Sequence, residues 1–234
     1  MENIMSNLLN FFVTYGIPFI LSIIAFLFSI SCHESAHGLV AYKLGDPTAK
    51  MSGRITLNPL KHFDLFAILF FAVFRVGWAK GVPIDSRYFK DPKKGIVLSS
   101  LAGPATNILL AFLSMVILRL VGLIPKLVGL IPIHSQGLYL ALNYVAMFFS
   151  SMVSVNLMLA IFNLLPIPPL DGSKIFFSLL PERIYYKIMS YDRIMIFVAL
   201  ALVWFGAFDK LIQTGVQNLY TVLQNIVNFM IPLG

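Results

Sequence analysis

The sequence predicts an all-α polytopic membrane protein, and three observations carry that prediction. Hydrophobic residues make up 59% of the chain and charged residues only 12%, against about half and about a quarter in a soluble domain. Several apolar runs reach the roughly 20 residues that a helix needs to cross the hydrocarbon of a bilayer. The basic residues fall between those runs and form no single stripe, so the net charge of +7 reads as loop charge beside a membrane. No nucleic-acid partner is expected.

The first long helix runs from about Pro18 to Leu44. Proline suits a first helical turn, and Gly45 followed by Asp46-Pro47 makes a stop. At 1.5 Å per residue this stretch rises about 40 Å, more than the roughly 30 Å of hydrocarbon, so it crosses with tilt and projects a polar end. Residues 5–16 read as a short interfacial or kinked extension. No Lys or Arg precedes them and no small-residue cleavage site follows, so a removed signal peptide is not expected. The single cysteine, Cys32, excludes an internal disulfide framework and reads as a small buried side chain.

Met51–Asn58 alternates and carries β-branched residues, which predicts a strand or hairpin. Leu65–Phe74 is wholly apolar but too short to span, which predicts a re-entrant segment or a membrane-embedded hairpin. A basic loop with proline and glycine leads to Gly95. Ile96–Leu120 is the second span and residues from about 138 to 165 the third, with a short loop containing Pro125, Pro132 and His134 between them. Pro166–Gly172 breaks the third span. Two further helices are expected over about 194–208 and 211–233, the latter amphipathic. Residues 1–234 thus form one integral membrane domain, a three-helix core with additional C-terminal helices and a short embedded hairpin. There is no internal repeat.

Charge orients the chain. Ten of its 17 Lys and Arg residues lie in 43–94, two in 119–139 and four in 174–193. The positive-inside rule puts 43–94 and 174–193 in the cytoplasm. That arrangement requires 65–74 not to cross.

His33-Glu34-Ser35-Ala36-His37 is the sharpest chemical signal. On a helix, positions i and i+4 share one face, so both imidazoles can meet one metal ion while the glutamate moves protons for a hydrolysis. Inside an apolar helix such residues cost several kcal/mol unless paired or coordinated. Catalytic zinc usually has three protein ligands and an open position. Asp171, in the break after the third span, stands out as the candidate third ligand, the alternative being a cap for the short helix after it. In Gly103-Pro104-Ala105-Thr106-Asn107, Gly103 lets another backbone approach. The Asn107 amide reads either as an oxyanion donor or as interhelical glue.

Taken together, His33–His37, Gly103–Asn107 and Asn163-Leu164-Leu165-Pro166 through Leu170-Asp171-Gly172 resemble the site-2 protease family of intramembrane zinc metalloproteases. Gly45–Ala49, Gly53–Pro59 and Gly77–Lys80 add to the likeness, which runs from about Ile20 to Ile175. The resemblance implies Zn2+ held by His33, His37 and Asp171, Glu34 as general base, and Asn107 holding substrate or oxyanion. It implies a prokaryotic cell membrane, a lipid environment, transmembrane protein substrates and a site open to the cytoplasm. With no PDZ-like insertion between the second and third spans and no nucleotide-binding module, the chain resembles the minimal branch. His62 fits the family's loop pattern, where it reads as a packing residue. The competing function is a metal or small-solute transporter using the same polar residues as an ion path, although the single helix break and lack of a repeat do not favour it.

Single cysteines at Lys61 and Lys93, in a Cys32→Ser background, are expected to label from the same side of the membrane, and one at Ser135 from the other. Labelling of Lys61 and Lys93 from opposite sides would mean that 65–74 crosses.

Overall fold

The computed structural model describes residues 2–63, 80–128, 136–189, 201–202 and 205–232, all in helices, turns and extended loops. The expected hairpin at 65–74 and most of the helix at 194–208 lie outside the described residues. No strand occurs among the described residues, in keeping with the all-α expectation.

Helix α1 (Glu2–Phe11) passes through one π-helical stretch, Phe12–Gly16, into α2 (Ile17–Lys43), with Pro18 in the first turn. The extension at 5–16 is therefore helical and continuous with the span. Gly45, at φ 111°, ends α2 in a conformation that suits glycine. Its amide reaches the Tyr42 carbonyl, while the Asp46 amide reaches Ala41. Asp46 is fully buried and anchors the loops beyond α2. Its carboxylate accepts from the Thr48 amide and hydroxyl, which start the short α3 (Thr48–Met51), and from the Asp85 amide at 2.8 Å.

The strand expected at 51–58 is not formed. The chain turns at Gly53 (φ 62°), and Asn58 caps a single 3-10 turn at Pro59–Lys61 by accepting from the Leu60 amide. Alternation stabilises a strand only where a partner edge exists, and here the loop folds onto α2 instead. Ser35 Oγ donates to the Thr56 carbonyl at 2.5 Å, and the same carbonyl lies 2.8 Å from His62 Nε2. Lys80–Asp85 then runs as an extended loop. Its carbonyls at Lys80 and Gly81 accept from the Arg54 guanidinium, and the Lys80 amide donates to the His62 carbonyl. Further on, hydrogen bonds from the Arg87 side chain and amide hold the Asp85 carboxyl below the usual carboxylate range.

Helix α4 (Pro92–Val128) contains the second span and continues through Pro125, where the sequence predicts a loop. Helix α5 (Gln136–Asn163) is the third span. After the proline-rich break come α6 (Asp171–Phe177), α7 (Glu182–Met189) and α8 (Asp209–Met230). Among the described residues, three stretches, Met5–Lys43, Pro92–Ile124 and Gln136–Asn163, are long and apolar enough to cross a membrane.

Helices α2, α4 and α5 pack mutually. Lipid is as apolar as leucine, so their association rests on close packing and interhelical hydrogen bonds. The residues at the contacts fit that physics: Ala25, Ser29, Ala111 and Ala160 are completely buried, while Ile20, Ile24, Leu109, Leu113 and Met158 face outward. Ala111, Met115, Val153, Leu157, Leu223 and Val227 form a cluster that brings α8 against α4 and α5. A second cluster joins Phe26 and Ile30 of α2 to Phe63 and the Val155–Leu159 face of α5.

Candidate metal centre

His33 and His37 lie one turn apart on α2, as their spacing predicts, and both are buried. Their Nε2 atoms stand 2.9 Å from each other, and Asp171 Oδ2 stands 3.2 and 3.1 Å from them. No other group among the described residues brings three possible metal ligands together in this way.

What delivers Asp171 is a reversal of the chain. After Asn163 the backbone turns through Pro166–Leu170, so that α6 begins against the end of α5. A Cβ on Gly172 would sit 2.2 Å from the Leu164 carbonyl oxygen, so only glycine permits that approach. Asp171 opens α6 but is not its cap: the N-cap residue is Leu170, with no side-chain capping bond. The second carboxylate oxygen lies 3.3 Å from Lys174 Nζ, one turn on, which leaves Oδ2 to the imidazoles.

The far nitrogens of both rings are also engaged. His37 Nδ1 lies 2.7 Å from the Ser99 carbonyl oxygen, and His33 Nδ1 lies 2.5 Å from Asn107 Oδ1. A carbonyl can only accept, so His37 carries its proton on Nδ1 and presents a lone pair at Nε2. Asn107 Oδ1 imposes the same tautomer on His33. With both rings neutral, three acceptor atoms then converge in a buried pocket. Such a set repels itself until a cation joins it, and two imidazole nitrogens with one carboxylate oxygen suit zinc. The donor chemistry therefore fits the metal implied by the sequence.

Gly103 walls the pocket from α4. The sequence predicts a backbone contact here, but the neighbours are the imidazoles themselves. A Cβ at Gly103 would lie 2.5 Å from His33 Cε1, His37 Cε1 and His37 Nε2. Glu34 stays outside the ligand group, half-buried, with its Oε2 accepting from the Val82 amide at 3.0 Å. Asn107 is completely buried, its Oδ1 on His33 and its Nδ2 donating to Asn156 Oδ1 at 2.8 Å. It thus stands behind the ring. His62 is also fully buried and packs the loop against α2. Ser99 and Asn156 carry no motif of their own. The available signal for Asn156 is an amide in the middle of an apolar span, which demands a partner.

Residues 21–206 match peptidase family M50. The chain belongs to that family. It is accordingly a zinc metalloprotease of the membrane, as the site-2 protease likeness implies. Among M50-related proteins, the candidate zinc metalloprotease YwhC of Bacillus subtilis (strain 168) is 40% identical over 168 residues, 70% of this chain and 71% of YwhC. The candidate zinc metalloprotease Rip2 of Mycolicibacterium smegmatis is 34% identical over 166 residues, covering 68% of this chain and 57% of Rip2. A third, MJ0611 of Methanocaldococcus jannaschii, is 31% identical over 159 residues, 67% of this chain and 69% of its own. No solved structure matches the chain.

Gly103→Ala is expected to push the imidazoles apart, since overpacking a tight site costs about 1–3 kcal/mol. Metal analysis of the purified variant should find zinc well below one per chain. Gly122→Ala on the same helix, where nothing lies within 4 Å of the added carbon, should retain it. Full zinc in Gly103→Ala would show that the pocket has slack that this geometry denies.

Proposed function

We propose that this M50 member hydrolyses peptide bonds within the transmembrane segments of membrane proteins, as in regulated intramembrane proteolysis. In this reading zinc is held by His33, His37 and Asp171, and Glu34 is the general base. The observation that carries it is the convergence of two Nε2 atoms and one Oδ2 within 3.2 Å, inside the packed bundle. His33 lies ten residues before the end of α2 at Lys43, or about 15 Å along the helix. That depth supports a substrate that is itself in the membrane. The basic loops at the same end of α2 and α4 support a site opening to the cytoplasm.

Zinc, when bound, acts as a Lewis acid on the scissile carbonyl and lowers the pKa of water. The chain's own residues do the rest. Glu34 is next to His33 in sequence and is not one of the three ligand groups, and its Oε2 accepts from the Val82 amide. The Val82 amide holds Oε2 and leaves Oε1 to take a proton from the attacking water and deliver it to the leaving amine. Ser99 and Asn107 keep the imidazole protons on Nδ1. Gly103 and the buried helix contacts close the site from the α4 side.

A peptide bond within a helix has its carbonyl hydrogen-bonded and its flanks covered, so the substrate must unwind locally before it is cut. In hydrocarbon, freeing those groups costs several kcal/mol unless partners are offered. The 51–58 loop supplies no strand edge for this purpose.

The test is made with protein purified in detergent and transmembrane substrates, with zinc measured beside cleavage. Glu34→Gln is expected to lower turnover by about 10²–10⁴-fold or more while zinc stays near one per chain. Loss of zinc in that variant would make Glu34 a ligand, and unchanged turnover would remove the hydrolase reading.

Asp171→Ala is expected to lower zinc affinity and cleavage together, by more than the roughly 10–100-fold that loss of an outer hydrogen-bond partner costs. Full metal and full activity in Asp171→Ala would return that residue to a structural role.

A further inference from the structure

On the Nδ1 side of His33 a line of polar groups crosses the apolar interior. Asn107 Oδ1 meets His33 Nδ1 at 2.5 Å, and Asn107 Nδ2 donates to Asn156 Oδ1 at 2.8 Å. Asn156 Nδ2 donates to Ser29 Oγ and to the Met152 carbonyl, both at 2.8 Å, and the Ser29 hydroxyl points to Met152 Sδ at 3.7 Å. Asn107, Asn156 and Ser29 are each 0% exposed. They come from α4, α5 and α2 respectively, and Ser29 sits one turn before His33.

Buried amides between membrane helices commonly serve as glue. Glue needs hydrogen bonds but no particular direction, and here the direction is determined. The Met152 carbonyl is a backbone acceptor, so the Asn156 amide must turn its NH₂ towards it. That leaves Asn156 Oδ1 facing Asn107, which must answer with its own NH₂. Asn107 Oδ1 then faces His33, and only an Nδ1–H can meet it. A main-chain carbonyl on α5 thereby decides which nitrogen of a histidine on α2 carries the proton.

We propose that Asn156 and Ser29 are positioning residues of the metal centre, forming with Asn107 a directed relay that holds the His33 proton on Nδ1 and its Nε2 lone pair towards the metal. None of the three touches the reacting atoms. Ser29 supplies the second acceptor that keeps both Asn156 hydrogens engaged and prevents the amide from turning over. Ligating histidines generally depend on such outer partners, whose loss costs about 10–100-fold in metal affinity. The proposal rests on the reading of His33 as a metal ligand.

The test is competition between zinc-loaded protein and a chelator, together with the visible spectrum of the cobalt-substituted protein, which reports ligand geometry independently of turnover. Asn107→Leu and Asn156→Leu are each expected to weaken zinc about 10–100-fold and to shift the cobalt bands. Asn156→Asp, nearly the same shape, keeps an acceptor facing the Asn107 amide and should recover most of the zinc affinity that Asn156→Leu loses, even though its other oxygen opposes the Met152 carbonyl. Asn156→Ala replaces the leucine variant should that one not fold. Asn156 touches no ligand, so rescue there by an acceptor is a result that packing alone would not produce. Native zinc affinity and an unshifted cobalt spectrum in Asn156→Leu would overturn the relay, as would Asn156→Asp binding no better than Asn156→Leu. If the native chain itself holds no zinc, the metal reading fails first, and that outcome is read on the unmutated protein.

Discussion

Two imidazole nitrogens and a carboxylate oxygen facing one another in a buried pocket are the constraint around which this molecule is arranged. His33 Nε2, His37 Nε2 and Asp171 Oδ2 lie within 3.2 Å of each other, and mutual repulsion among such groups grows as water is removed. The arrangement suits a cation among them, with both ring protons held on the far side. Helix α4 therefore supplies the Ser99 carbonyl and Asn107, and it comes close enough to do so because position 103 has no side chain. The break after α5 exists to turn Asp171 back, and Gly172 is the residue that lets it turn. Even the exposed loops answer to this centre, since Asp46 and Arg54 hold the 80–85 segment whose Val82 amide meets Glu34.

The same packing gives the bundle its division of labour. The half near the ends of α2 and α5 carries nearly all the buried polarity, while the other half is an apolar cluster closed by α8. In a membrane, buried apolar surface contributes little to helix association, because the alternative environment is also apolar. The polar half thus contributes interhelical hydrogen bonds as well as chemistry. Such networks are stable only when every member is satisfied, and each side-chain polar atom of the Asn107–Asn156–Ser29 line has a protein partner.

Much of this was legible in the residues themselves, because the signals involved are local. A span is written in consecutive apolar residues, so the first and third helices fall within two residues of where composition puts them, at Ile17–Lys43 and Gln136–Asn163. The facing of His33 and His37 follows from helical spacing alone. What was not legible depends on partners distant in the chain. Alternation at 51–58 reads as a strand, yet with no strand edge among the described residues the segment turns its backbone to Ser35 and to its own turns. Pro125 reads as a loop, yet it sits inside α4. Asn107 reads equally well as glue or as an oxyanion donor, and only the three-dimensional register with Asn156 and His33 assigns its amide. Gly103 signals close approach, but spacing cannot say that the approaching groups are imidazoles.

The absent side chain at position 103 also bears on how small molecules can reach the centre. With less room than a methyl group between the α4 backbone and both rings, a zinc-chelating inhibitor has no foothold on that face. Glu34, next to the ligand His33, is held by the 80–85 segment, whose Val82 amide engages a carboxylate oxygen. A compound that reaches the centre beside Glu34 would meet the side chains of that extended loop, whereas the Gly103 wall presents main chain alone.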